Sequence, residues 1–136
     1  MDTLWYVVAV VVATLVTSFT DWYFMGVMFH DKYLAHPEIW RSQPGDQKAE
    51  RLAIALSTLV GLFSSALFIH ICDHLHLLDW HAAIAFALGC WLAVALPILV
   101  INGLFIKLHL LNTLAHALGW LMRLLVCAVC AHLFLG

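Results

Sequence analysis

Four times along this 136-residue chain a run of 18 or more mainly apolar residues recurs. Each run is long enough, at 1.5 Å of rise per residue, to cross a hydrocarbon layer about 30 Å thick. Water is not the solvent for such a chain. In lipid the backbone must pair its own N–H and C=O groups, which excludes an open sheet and leaves helices as the spanning element for runs of this length. Composition agrees, with 65% hydrophobic and 10% charged residues, where a soluble domain carries about 25% charged. Six Lys plus Arg against eight Asp plus Glu give no basic surface for a phosphate backbone. A soluble enzyme, a nucleic-acid binder and a secreted disulfide scaffold are therefore excluded, and no nucleic-acid partner is expected.

The runs place spans at about 4–29, 52–71, 82–106 and 111–135, all within one domain. The first lacks a positive leader and a small-x-small cleavage pattern, so it reads as a permanent span rather than a removable signal. Between His30 and Arg51 lies the one long polar stretch, a loop with a short helical turn expected at Pro37. The joins Cys72 to His81 and Lys107 to Leu110 are short, which favours adjacent antiparallel helices. The expected fold is all-α, a polytopic antiparallel four-helix bundle with up-down-up-down topology. Lys32, Arg41, Lys48 and Arg51 in the first loop and Lys107 in the third place those loops in the cytoplasm. Both termini then lie on the outer, periplasmic face. Cys72, Cys90, Cys127 and Cys130 sit in or beside apolar runs and read as free buried thiols.

The fourth span carries the most chemistry. His109, Asn112, His116, Gly119, Arg123, Cys127 and Cys130 recur at steps of three and four, which puts them on one face of a helix whose remainder is Leu, Ala, Val or Trp. A polar stripe on an apolar helix faces protein. Arg123 lies about 18 Å from Leu111 along the axis, near the bilayer middle. There an arginine costs roughly 2.5–3.5 kcal/mol and requires a partner, a wet cavity or a path to the interface.

The other spans offer matching groups. Thr14, Ser18 and Asp21 share a side of the first, closing beside Trp22, and Asp21 falls about 5 Å inside the cytoplasmic boundary. Ser57, Gly61 and Ser65 form a small-xxx-small ladder in the second, the pattern of close helix approach. Asn102 comes late in the third, after Pro97, where a kink is expected. By depth alone Asp21, Ser57, Asn102 and His116 form one layer within about 10 Å of the cytoplasmic surface, with Arg123 above it. That layer reads equally as a pocket floor or as an interhelical hydrogen-bond layer. A carboxylate and an imidazole in one partly desolvated site can exchange protons near neutral pH.

A second polar group gathers at the opposite face: His70, Cys72, Asp73, His74, His76, Asp79 and His81, with Cys130 and His132 at a similar level. His70 and His74 have the i, i+4 spacing of a helical ligand pair. Of these, His70, His74, His81 and His132 are the weak candidates for a transition metal or haem. No His-Glu-x-x-His or Cys-x-x-Cys-His supports that, and amphipathic interfacial rings account for them. No cofactor is expected.

The stretch Thr20-Asp21-Trp22-Tyr23-Phe24-Met25-Gly26-Val27-Met28-Phe29, followed by Tyr33 and Trp40, resembles the first-span signature of a bacterial membrane family, the domain-of-unknown-function group numbered 1761. The resemblance implies a short four-span protein with a Trp-Tyr pair closing the first span and a Phe shortly after, here Trp22-Tyr23 and Phe29. Where the family often continues Phe-Gly-Lys, this chain has Phe29-His30-Asp31-Lys32. A bacterial inner membrane is the expected location, and the family lends no catalytic residue.

Three functions stay open. The favoured one is a binding protein that holds a lipid-like or amphipathic small molecule, with Asp21, Trp22, Ser57, Asn102, His116 and Arg123 as the ligand-binding candidates. An anionic head group would suit Arg123. Membrane lipid is the expected partner, with a homo-oligomer or a larger membrane complex around it. The second is an enzyme with Asp21 and His116 as a catalytic acid–base pair. The third is a structural subunit whose stripe mates with another helix. A transporter is disfavoured, since no discontinuous helix pair and no inverted repeat appear.

Overall fold

The computed structural model describes residues 2–28, 47–106 and 110–136. Among these residues every regular element is helical and no strand occurs. Helix α1 is Thr3–Tyr23, continued by a π-helical turn at Phe24–Met28. Helix α2 is Gln47–His74. Helix α3, Trp80–Cys90, runs through a π-helical segment, Trp91–Ala95, into α4, Leu96–Phe105. Helix α5 is Leu110–Leu135. Counted as continuous rods, four helices are long and apolar enough to cross a membrane. The expected turn at Pro37, the loop residues Lys32, Arg41 and Lys107, the stripe residue His109 and the family-signature residues Phe29, Tyr33 and Trp40 lie outside the described residues.

Hydropathy finds the rods but not their ends. Asp2 starts α1 by accepting from Leu4 N–H at 3.0 Å. Asp79 starts α3 by accepting from His81 N–H and Ala82 N–H, so the third rod opens at Trp80 rather than Ala82. The second begins five residues before Leu52, because Gln47, Lys48, Ala49, Glu50 and Arg51 are good helix formers and Glu50 complements the positive end of the helix. Its last turn is closed by His76 in the left-handed conformation at φ 55°, while Leu77 N–H reaches back to the Cys72 carbonyl. His76 thus has a capping role that its place among the outer-face histidines does not reveal.

Pro97 does not simply bend the third rod. It lacks an N–H and its ring crowds the carbonyl four residues earlier. The chain answers with the widened turn just before it, in which Leu96 N–H bonds to the Trp91 carbonyl five residues back. Each such turn shifts the phase of the helix that follows.

Packing is uneven along the rods. The core is built from Ala9, Val10 and Ala13 on α1, Phe68, Ile69 and Cys72 on α2, Ala83 and Ala87 on α3, and Cys127, Ala128, Cys130 and Ala131 on α5. Small side chains let these helices approach closely. The four cysteines are free, with Cys90 half-buried and the others buried. Trp5 stacks on Phe134, and the Tyr6 hydroxyl donates to the Ala66 carbonyl at 2.9 Å. Phe68 stacks on Phe86 at the same end. Towards the other end Leu52 to Val60 are all exposed, and nothing between Trp91 and Phe105 is buried. The described residues are densely buried over one half of the rods and sparsely over the other, where α4 still stays close to α5 at Gly103: a Cβ there would stand 3.0 Å from Thr113 Oγ1.

A hydrogen bond also ties two rods in the sparsely buried half. Trp91 Nε1–H donates to the Ala117 carbonyl at 2.9 Å, tying the π-helical segment to α5. Trp91→Phe removes the donor and keeps the ring, and is expected to lower stability by about 1 kcal/mol, read from unfolding in mixed micelles.

Candidate functional site

Where the densely buried half gives way to the sparsely buried one, α5 places Arg123 inside the bundle, only 7% exposed. Helical side chains lean towards the N-terminus of their helix, so the guanidinium reaches one turn back along α5, towards Gly119. There α1 supplies Asp21. Arg123 Nη2–H donates to Asp21 Oδ2, an ion pair joining residues 102 positions apart. The Trp120 ring lies 5.7 Å from the guanidinium carbon, within cation–π range. A buried charge is tolerable only when paired, and this chain provides the pair from within itself.

Two glycines make the pair possible. A Cβ on Gly61 of α2 would stand 2.5 Å from Arg123 Nη1, and one on Gly119 would stand 3.3 Å from Asp21 Oδ1. Gly61 therefore does more than the small-residue ladder implies, since it gives up its side chain to the guanidinium rather than only to a facing backbone. Ser65, one turn along the ladder, is fully buried near Cys127. Among the described residues neither its Oγ nor Arg123 Nη1, both buried, has a hydrogen-bond partner.

Beside the ion pair is a cavity of about 410 Å³. Asp21, His116, Gly119 and Arg123 form its polar part, and Trp120 and Gly61 continue the wall. Leu56, Ser57 and Val60 make the rim on α2, and all three are exposed on the outside of the bundle. The cavity thus opens sideways between helices. The Asp21 side chain is 40% exposed towards it. The Ser57 hydroxyl already donates to the Ile54 carbonyl of its own helix at 2.8 Å, leaving only acceptor capacity.

Four of the six ligand-binding candidates, Asp21, Ser57, His116 and Arg123, are brought together here. Trp22 is not: it is 58% exposed and packs on Phe19 outside the cavity. Asn102 is exposed on α4 and does not line the cavity, which removes it from the expected layer. Depth along an axis carries no direction around it, and the π-helical segment resets the phase of α4. Gly61, Gly119 and Trp120 complete the site. Trp120 was legible as the residue three before Arg123, on the same face.

At the far end His70 meets Tyr6 edge-on and stacks with His74 at 6.2 Å. His81 Nδ1 lies 3.7 Å from Asp79 Oδ2. His132 Nδ1–H donates to the Leu78 carbonyl at 2.8 Å, and its ring meets Trp80 edge-on. Among the described residues no three His, Cys, Asp or Glu side chains are grouped to hold a metal ion.

Fold and site together define an integral membrane protein of four apolar rods with an ion pair inside the bundle. The chain belongs to the family described as Protein of unknown function (DUF1761), whose model matches residues 8–132. No curated protein and no solved structure matches it.

Proposed function

We propose that this protein binds a lipid-like or amphipathic small molecule in the cavity beside Arg123. The polar end enters sideways between helices and the apolar tail stays along the rim. The observation that carries this reading is Arg123 Nη1, a buried cationic donor without a hydrogen-bond partner among the described residues, in the wall of a cavity open between Leu56 and Val60. Buried donors are almost always satisfied, so an orphan beside a cavity points to an acceptor from outside the chain. A volume of about 410 Å³ is at the small end for ligand pockets. It suits a head group and its first few carbons. The Lys and Arg bias of the first and third loops supports a cytoplasmic position for this half of a bacterial inner membrane protein, with an up-down arrangement and periplasmic termini. A second copy seated on the same rim would complete the wall and make the working unit an oligomer.

Two other readings are weaker. A structural subunit would leave Arg123 for a neighbouring chain, but its partner is Asp21 of the same chain. An acid–base enzyme needs Asp21 and His116 on one cavity, which they share, yet Asp21 is committed to Arg123.

Val60→Trp tests the proposal. Val60 is 60% exposed at the rim, so a bulky ring there narrows the mouth at little cost to the fold. Native mass spectrometry in mild detergent is expected to show a small-molecule adduct on the wild type and its loss in the variant. A wild type free of adducts, or an adduct indifferent to Val60→Trp, would refute it.

A further inference from the structure

The cavity wall also restricts the chemistry of what it holds. We infer, resting on the pocket reading above, that the head group bound beside Arg123 is uncharged and presents an oxygen acceptor, a carbonyl or a hydroxyl, rather than an anionic or cationic group.

Charge is the first reason. Among the described residues the formal charges on the wall are those of Arg123 and Asp21, which already answer one another. With His116 neutral, the lining sums to zero. An anion entering here would leave water for a medium of low dielectric and, even while accepting from the free Nη1, would add its charge to a lining already neutral and meet the Asp21 carboxylate beside it. Such desolvation is not repaid unless the ion gains an uncompensated counter-charge. A cation has the mirror problem, because Asp21 is held and Arg123 repels it. The anionic head group expected from the arginine alone takes no account of Asp21.

Hydrogen-bonding capacity is the second reason. A guanidinium has only donors, and Nη1 has no acceptor among the described residues. Ser57 has its proton engaged at Ile54. The unmet need on the wall is therefore an acceptor, which a neutral oxygen supplies without altering the charge balance. Gly61 keeps the approach clear, since any side chain there would press on Nη1. Trp120, Leu56 and Val60 offer apolar surface to the carbons behind the oxygen.

The test uses the protein in nanodiscs of zwitterionic lipid with three diazirine-bearing probes of equal chain length: a methyl ketone, an alkyl sulfonate and an alkyl trimethylammonium. Peptide mass spectrometry maps the labelling. The ketone is expected to label residues 56–61 and 116–123 about tenfold more than either ion, the worth of one hydrogen bond to a charged donor. In Asp21→Asn the uncompensated Arg123 should reverse the order in favour of the sulfonate. In the double variant Asp21→Asn with Arg123→Met, ketone labelling should fall about tenfold. If Asp21→Asn does not fold, the wild type and the double variant decide. Ion labelling of the wild type equal to the ketone's, or ketone labelling unchanged in the double variant, would overturn the head-group inference and leave the pocket standing. No probe labelling the cavity above the level at exposed Leu133 would remove both.

Discussion

Asp21→Asn is expected to cost the fold about 3–5 kcal/mol, the usual penalty for leaving a buried charge without its partner. Arg123→Met should cost less, although it breaks the same ion pair. The asymmetry is chemical: an orphaned carboxyl group can shed its charge by taking up a proton, whereas a guanidinium cannot lose one. Asp21 is also the more exposed partner, at 40% of its side chain against 9% for Arg123. Combining the two substitutions should recover most of the loss, because a buried pair replaced as a unit is often close to neutral. Equilibrium unfolding in mixed micelles, run as a double-mutant cycle, measures all three values. Additive penalties would mean that the two side chains do not act as a pair.

The second large effect belongs to Gly61. Gly61→Leu forces its side chain into the space of Arg123 Nη1 and should destabilise by about 3 kcal/mol, at the upper end of overpacking penalties. Gly61→Ala makes the sharper experiment because its sign should depend on residue 123. With Arg123 present, the new Cβ stands 2.5 Å from Nη1 and the substitution destabilises. With Arg123→Met, that contact is relieved by a flexible thioether. The intrinsic helical preference for alanine over glycine, about 0.5–1 kcal/mol, then prevails and the same change stabilises. An equal effect in both backgrounds would show that Gly61 serves helix packing alone.

How far the amino-acid sequence exposed this site depends on which coordinate of each residue matters. Apolar run length locates the four rods, because crossing hydrocarbon is a constraint on length alone. Arg123 stands out for the same reason, since depth follows from counting residues. Its partner is less evident. Asp21 was visible as a polar residue of the first span, but depth placed it in a layer below Arg123, and only the lean of a helical side chain closes the gap. Asn102 fails in the opposite sense, with a suitable depth and the wrong azimuth. Its helix follows Pro97 and the π-helical segment, and no periodicity reading carries phase across such a turn. Ser57, Gly61 and Ser65 present one pattern with three roles: a rim hydroxyl, a space for a cation and a buried hydroxyl near Cys127. Spacing sees that they are small and cannot tell what approaches them.

The mutual fit of residues 21, 61 and 123 also gives descent a direction. A lineage that first loses the arginine frees position 61 to accept a methyl group and position 21 to drift. One that first fills position 61 must pass through a displaced cation in hydrocarbon, a step selection resists. Divergence from this arrangement has a preferred order, with the guanidinium surrendered first.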